Sequence, residues 1–141
     1  MQLSFEVIKE PWNEYELEDG TIIRSRFILK KVDINKDIQP PQLKIDFQHI
    51  ASSIASKSSV QGIPSTDTFD PHNPTILNND EKYSTRLQEW NEYICRDGTR
   101  IRVNCTVSNI QRTNKYDTYG DPIFVVNPLI NMEVKPPFVN P

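Results

Sequence analysis

The stretch Trp12-Asn13-Glu14-Tyr15-Glu16-Leu17-Glu18-Asp19-Gly20-Thr21-Ile22-Ile23-Arg24 returns as Trp90-Asn91-Glu92-Tyr93-Ile94-Cys95-Arg96-Asp97-Gly98-Thr99-Arg100-Ile101-Arg102, with nine of thirteen residues identical at a constant offset of 78. An internal repeat is weighed before any other signal, because missing it misassigns the whole fold. Here it points to two copies of one small unit. It does not name an activity.

Within each copy the hydrophobic signal has period two. Ile23, Ser25, Phe27 and Leu29 fall on one side, and Arg24, Arg26 and Lys30 on the other. The second copy gives Ile101, Val103, Cys105 and Val107 against Arg102, Asn104 and Ser108. Such alternation marks a half-buried strand. Leu43, Ile45 and Phe47 predict a further strand in the first copy; Ile123 to Val126, then Ile130, Met132 and Val134, predict one in the second. Tyr83, Leu87, Trp90 and Ile94 also fit a helical spacing, but Pro11 precedes Trp12 at the equivalent place and would break a helix interior. Strands are therefore predicted in both copies. Ile50 and Ile54 permit a short helix at Gln48–Ser56.

Asp-Gly between two alternating runs signals a hairpin. A two-residue loop at Asp19-Gly20 would set Tyr15 opposite Arg24 and mix the two faces. A three-residue loop, Glu18-Asp19-Gly20, sets Leu17 opposite Thr21, Tyr15 opposite Ile23 and Glu14 opposite Arg24. Three-residue loops commonly carry a left-handed residue, which glycine adopts without steric cost. Gly20 and Gly98 are thus turn residues, and Asp19 and Asp97 turn formers. Glu14–Arg24 and Glu92–Arg102 become cross-strand pairs on the outer face, each contributing roughly 0.2–1 kcal/mol.

The 141-residue chain is 36% apolar, a thin supply for two independent cores, since domains of about 60 residues are marginal alone. The copies are expected to pack on each other or on a partner. Residues 1–50 form the first β unit, 51–82 a linker rich in Ser, Pro and Asn, 83–135 the second β unit, and 136–141 a proline-rich tail. Burial in the linker is too small to repay its ordering entropy. The first residues lack a basic segment and an apolar run of the secretory type, and no stretch approaches the roughly 20 apolar residues of a membrane helix. A cytoplasmic protein with no membrane association is expected. Net charge is −3, with a mildly basic 83–141 segment; this falls short of the basic footprint of a nucleic-acid-binding domain.

No motif for catalysis, cofactor or metal emerges. Asp33-x-Asn35-x-Asp37 imitates a calcium loop, but Ile38 and Lys44 stand where the loop needs Gly and Glu. Four isolated glycines exclude the usual phosphate loops. His49 continues the Leu43–Phe47 face and is a strand-end histidine. Cys95 and Cys105 lie six strand positions apart in the hairpin, roughly 20 Å at about 3.3 Å per residue, too far for a disulfide. No catalytic, metal or cofactor-binding residue is assigned, and the chain leans away from being an enzyme.

The expected fold is mainly β: a tandem repeat of two small antiparallel, barrel-like units, similar to SH3 or OB barrels, joined by an extended linker. The alternative is one β-sandwich formed by both repeats. The expected function is a non-catalytic protein-interaction or assembly module presenting Trp-bearing hairpin faces to a protein partner or to itself. Trp12 and Trp90 fall on the outer face, either covering the neighbouring copy or forming a recognition surface, since Trp and Arg are enriched at hot spots. The alternative function is weak single-stranded nucleic-acid binding by the second copy, where aromatic and basic side chains interleave. The candidate binding residues are Trp12, Trp90, Arg24, Arg100, Arg102, Arg112, Lys115, Tyr116 and Tyr119.

Overall fold

Alternating apolar residues that cannot be buried by one hairpin alone must find a second layer, and in this chain the second layer is the other half of the sequence. The computed structural model describes residues 1–56, 62–64 and 80–137. Most of the 51–82 segment and the end of the 136–141 tail lie outside the described residues. Among the described residues all regular structure is strand: β1 (Gln2–Leu3), β2 (Phe5–Lys9), β3 (Asn13–Leu17), β4 (Ile22–Asn35), β5 (Gln42–Ile54), β6 (Tyr83–Leu87), β7 (Asn91–Cys95), β8 (Arg100–Tyr116) and β9 (Pro122–Lys135). Every pairing is antiparallel.

One sheet runs β6-β3-β4, with β1 and β5 also on β4; the other runs β2-β7-β8-β9. Among the described residues neither sheet closes, which corrects the expectation of two barrel-like units. The helix considered at Gln48–Ser56 is also replaced by strand: β5 pairs with β4 along its length, through Arg26↔Ile50 to Ile22↔Ile54. The long ladder with β4 bonds the alternate residues of this segment that face β4, whereas an isolated helix of two turns is marginal in water.

The hairpin register is the one that sorts the faces. Tyr15 lies opposite Ile23 and Glu14 opposite Arg24, as Tyr93 lies opposite Ile101 and Glu92 opposite Arg102. Each turn closes identically. Leu17 N–H donates to the Thr21 carbonyl at 2.9 Å, and Cys95 N–H to that of Thr99 at 2.7 Å. Gly20 and Gly98 sit at φ 88° and 94°, and Asp19 and Asp97 accept from the N–H two residues on, both at 2.9 Å.

The short strand before each hairpin crosses to the other sheet. β2 pairs with β7, and β6 pairs with β3. The register is the same under the 78-residue offset: Phe5↔Cys95 corresponds to Tyr83↔Leu17, and Val7↔Tyr93 to Thr85↔Tyr15. The irregularities correspond as well. Ile8 and Arg86 are bulged out of their ladders, as are Lys30 and Ser108 in β4 and β8. A bulge bends its strand and increases its twist, which lets β4 and β8 each serve two ends of the molecule.

The core is correspondingly shared. Tyr93, Cys95, Ile101, Val103 and Cys105 of one sheet pack against Phe27, Leu29 and Val32 of the other. Tyr15, Leu17 and Ile23 pack against Val107 and Ile110. The two sheets face each other across both clusters, and neither half of the chain owns a core. No helix among the described residues is long and apolar enough to cross a membrane.

Candidate functional site

The repeated tetrapeptide Trp-Asn-Glu-Tyr accounts for the outer Trp faces and for the polar interior beneath them. Alternation in β3 and β7 sends Glu outward and Asn and Tyr inward. On the outer face the Arg24 guanidinium lies over the Trp12 ring, 4.5 Å from its centroid, with Arg26 at 5.8 Å. Arg102 lies over Trp90 at 4.5 Å. Such contacts contribute about 0.5–1 kcal/mol at exposed sites. Arg24 also pairs with Glu14 at 3.6 Å, while Arg102 pairs with Glu92 at 3.3 Å and with Glu133 at 3.1 Å. Both tryptophans are half-buried.

Beneath this face the asparagines join the two sheets. Asn13 Nδ2 donates to the Cys105 carbonyl at 3.0 Å, and Asn91 Nδ2 to the Phe27 carbonyl at 3.1 Å. Asn13 Oδ1 accepts from Glu89 N–H at 3.0 Å. The counterpart of Glu89 is Pro11, which has no N–H, and Asn91 Oδ1 is accordingly a buried acceptor without a partner among the described residues. The tyrosine hydroxyls end in unlike groups. Tyr93 donates to Glu10 Oε2 at 2.8 Å, and Glu10 also faces Arg26 at 3.5 Å and accepts from Leu29 N–H at 3.2 Å. Tyr15 donates to Gln88 Oε1 at 2.8 Å, and Gln88 donates to Asn104 at 3.0 Å and to the Cys105 carbonyl at 2.8 Å. A carboxylate–guanidinium pair in one half is thus an amide–amide pair in the other.

Burial sets the titration of this interior. It pushes the Tyr15 phenol up to about 12, aided by Tyr83 and Cys105, and it raises Tyr93 as well. The Cys105 thiol is pushed up to about 12 by burial and by Glu10, and Cys95 is raised by burial and by Asp97. Both cysteines are free and buried. Thiols held protonated in this way are poor nucleophiles.

His49 stacks on Phe27, with ring centroids 4.6 Å apart, and its Nε2 lies 2.7 Å from Ser25 Oγ. Desolvation lowers its pKa below the usual 6.5. A histidine whose folded pKa is depressed leaves the unfolded chain binding more protons below its unfolded pKa. Stability is expected to be flat above pH 6.5 and to fall as pH drops below it, and His49→Gln should remove that slope. Urea midpoints between pH 5 and pH 7.5 measure it; an unchanged slope in the variant would assign the effect to another group.

The nine candidate binding residues do not form one surface. Trp12 and Arg24 lie on the outer face of one sheet, and Trp90, Arg100 and Arg102 on the outer face of the other. These faces look away from each other. The bulge at Ser108 shifts the side-chain phase, so Arg112 shares its side of β8 with the core residue Ile110. Lys115 and Tyr116 end β8. The Tyr116 ring lies against Gly62, where a Cβ would come within 2.5 Å of it, and Gly62 N–H donates to the Gly120 carbonyl at 2.9 Å. Tyr119 is 83% exposed, at the tip of a turn of the same kind as the hairpins, with Gly120 at φ 80°. It borders a cleft of about 350 Å³ between the sheets that includes Asp117, Asp121 and Phe124. That rim is acidic, and it is separate from the Arg100–Arg102 face.

Sequence reasoning missed three features: the inter-sheet asparagines, the unlike Glu10 and Gln88, and the exposure of one predicted core row. Ile130, Met132 and Val134 point to the core side of β9, yet they are 39%, 46% and 41% exposed. The equivalent row of β5 is His49, Ala51 and Ser53, paired with β4 at the corresponding register. The signal available in the sequence was this contrast between halves, which needs the β5–β9 alignment to be seen. Comparison with protein-family models, curated proteins and solved structures returned no match.

Proposed function

We propose that this chain is a non-catalytic interaction or assembly module built from two copies of one strand–hairpin–strand unit that exchange their first strands. The observation that carries the reading is a row of large apolar side chains standing exposed on one face of an edge strand, Ile130, Met132 and Val134, on a fold whose repeated polar residues are taken up by its own packing. Contiguous exposed apolar side chains mark interaction sites. The outer Trp12 and Trp90 faces add two further, separate surfaces, with Arg24 on one and Arg102 on the other as the side chains a protein partner would meet. Such a module would act in the cytoplasm.

Single-stranded nucleic-acid binding by residues 83–135 is the losing alternative. Arg102 is held between two carboxylates on the face of Trp90, and Asp117 and Asp121 flank Tyr119. Affinity capture with the full chain and with Trp12→Ala/Trp90→Ala, each with and without nuclease, separates the readings. The module reading expects nuclease-resistant protein partners, lost in the variant while its circular dichroism is unchanged. Partners released wholly by nuclease would overturn it in favour of the alternative.

A further inference from the structure

We infer that β9 is the contact strand of a symmetric homodimer, pairing antiparallel with β9 of a second copy about a two-fold axis at Met132. This names the partner for the assembly reading above and rests on it. β9 is an edge of its sheet, and among the described residues no strand pairs with its far side. An edge strand offers a row of unpaired N–H and C=O groups as a template for another strand.

The backbone phase puts the right residues on that edge. Cys95 N–H donates to the Thr99 carbonyl, so Thr99, Ile101 and Val103 turn their polar backbone groups to β7, since successive residues alternate sides. Arg100, Arg102, Asn104 and Thr106 then turn to β9, where their partners are Lys135, Glu133, Asn131 and Leu129. Ile130, Met132 and Val134 are left with N–H and C=O directed outward. Antiparallel pairing centred on Met132 sets Met132 against Met132 and Ile130 against Val134, each with its outward groups available to exchange hydrogen bonds.

The side chains select a second copy as the occupant. Along one face the row reads Pro128, Ile130, Met132, Val134, Pro136, which has the same chemistry in both directions about Met132. The dimer therefore joins the two exposed apolar rows into one. On the other face Glu133 meets Asn131 and Lys135 meets Leu129, so no like charges are opposed. The prolines lack an N–H and stop the pairing at both ends in the same register. The corresponding row of β5, with His49, Ala51 and Ser53, shows that apolar residues are not needed there to fold the sheet. The remaining edge of this sheet, β2, is short and bulged, with Lys9 paired to Glu89 at 2.9 Å.

The test is the oligomeric state of the full chain by sedimentation across a concentration series, together with two variants. The wild type is expected at twice 16.4 kDa. Met132→Lys, which opposes two cations on the axis, should sediment as a monomer with an unchanged far-UV spectrum. Met132→Cys should form a covalent dimer under mild oxidation at least tenfold faster than Val7→Cys on the opposite edge, because a paired Cα separation near 5.5 Å is within disulfide reach. This second variant does not depend on Met132→Lys folding. A monomeric wild type, or equal cross-linking at Val7 and Met132, would overturn the β9 pairing. A monomer that still captures nuclease-resistant partners through Trp12 and Trp90 would leave the module reading standing while removing this one.

Discussion

Tyr93→Ala is expected to destabilise the chain by about 3–5 kcal/mol, the cost typical of removing a large aromatic side chain from a core, and to do so for both halves at once. Tyr93 is 1% exposed. It belongs to the cluster holding Phe27, Leu29 and Val32 from the other sheet, meets Phe5 edge-on at 6.1 Å and donates to Glu10, the residue after β2, which also accepts from the Leu29 N–H of the other sheet. If each half folded alone, the loss would be confined to the second. The exchange of β2 and β6 predicts the opposite, because each hairpin is completed by a strand from the other half.

The tryptophans provide the readout, one in each half. Trp12→Phe leaves Trp90 as the fluorophore, and Trp90→Phe leaves Trp12. In urea the two single-tryptophan chains should show coincident midpoints, and adding Tyr93→Ala should shift both by the same amount. Coincidence of probes is the ordinary test of a two-state transition. A Trp12 midpoint that Tyr93→Ala leaves unmoved would show an independent first half, and the shared core would carry no cooperative coupling.

The repeat and the period-two alternation made the hairpins legible in detail, because a turn and its register are decided by neighbouring residues. Face sorting chose the loop length, which fixed Tyr15 opposite Ile23 and Tyr93 opposite Ile101. What local pattern does not encode is the partner of a strand whose flanks are free to cross. Phe5–Lys9 and Tyr83–Leu87 alternate in the same way whether they pair with their own hairpin or with the other, so barrel-like units and a shared sandwich looked alike. The choice falls to burial: two thin cores are worse than two shared ones. The same reasoning explains the candidate site. The repeated Trp, Asn, Glu and Tyr are conspicuous in sequence because both halves need them for stacking, sheet joining, register and core. The apolar row of β9 is inconspicuous because a strand of that composition is expected to be buried, and only its place at an edge exposes it.

The largest coupling between two named residues is expected at Glu10 and Arg26. The Glu10 side chain is 7% exposed and that of Arg26 34%. Arg26→Asn would leave the carboxylate with Tyr93 and the Leu29 N–H but without its cation. Removing one partner of a buried pair costs about 3–5 kcal/mol, and with Arg26 a third exposed to solvent a cost of about 2–3 kcal/mol is expected. Glu10→Gln alone should cost about 1 kcal/mol, since the amide still accepts from Tyr93 while Arg26 keeps its place over Trp12. The double substitution Glu10→Gln/Arg26→Asn recreates the Gln88–Asn104 arrangement, in which the amide donates to Asn104 at 3.0 Å and accepts from a tyrosine at 2.8 Å. It should therefore lie within about 1 kcal/mol of the wild type, well short of the sum of the single changes. Additive costs in urea unfolding would show that the two residues act independently. A favourable coupling would mean that each half holds its tyrosine by a matched pair, ionic in one and amide in the other, which neither member can leave alone.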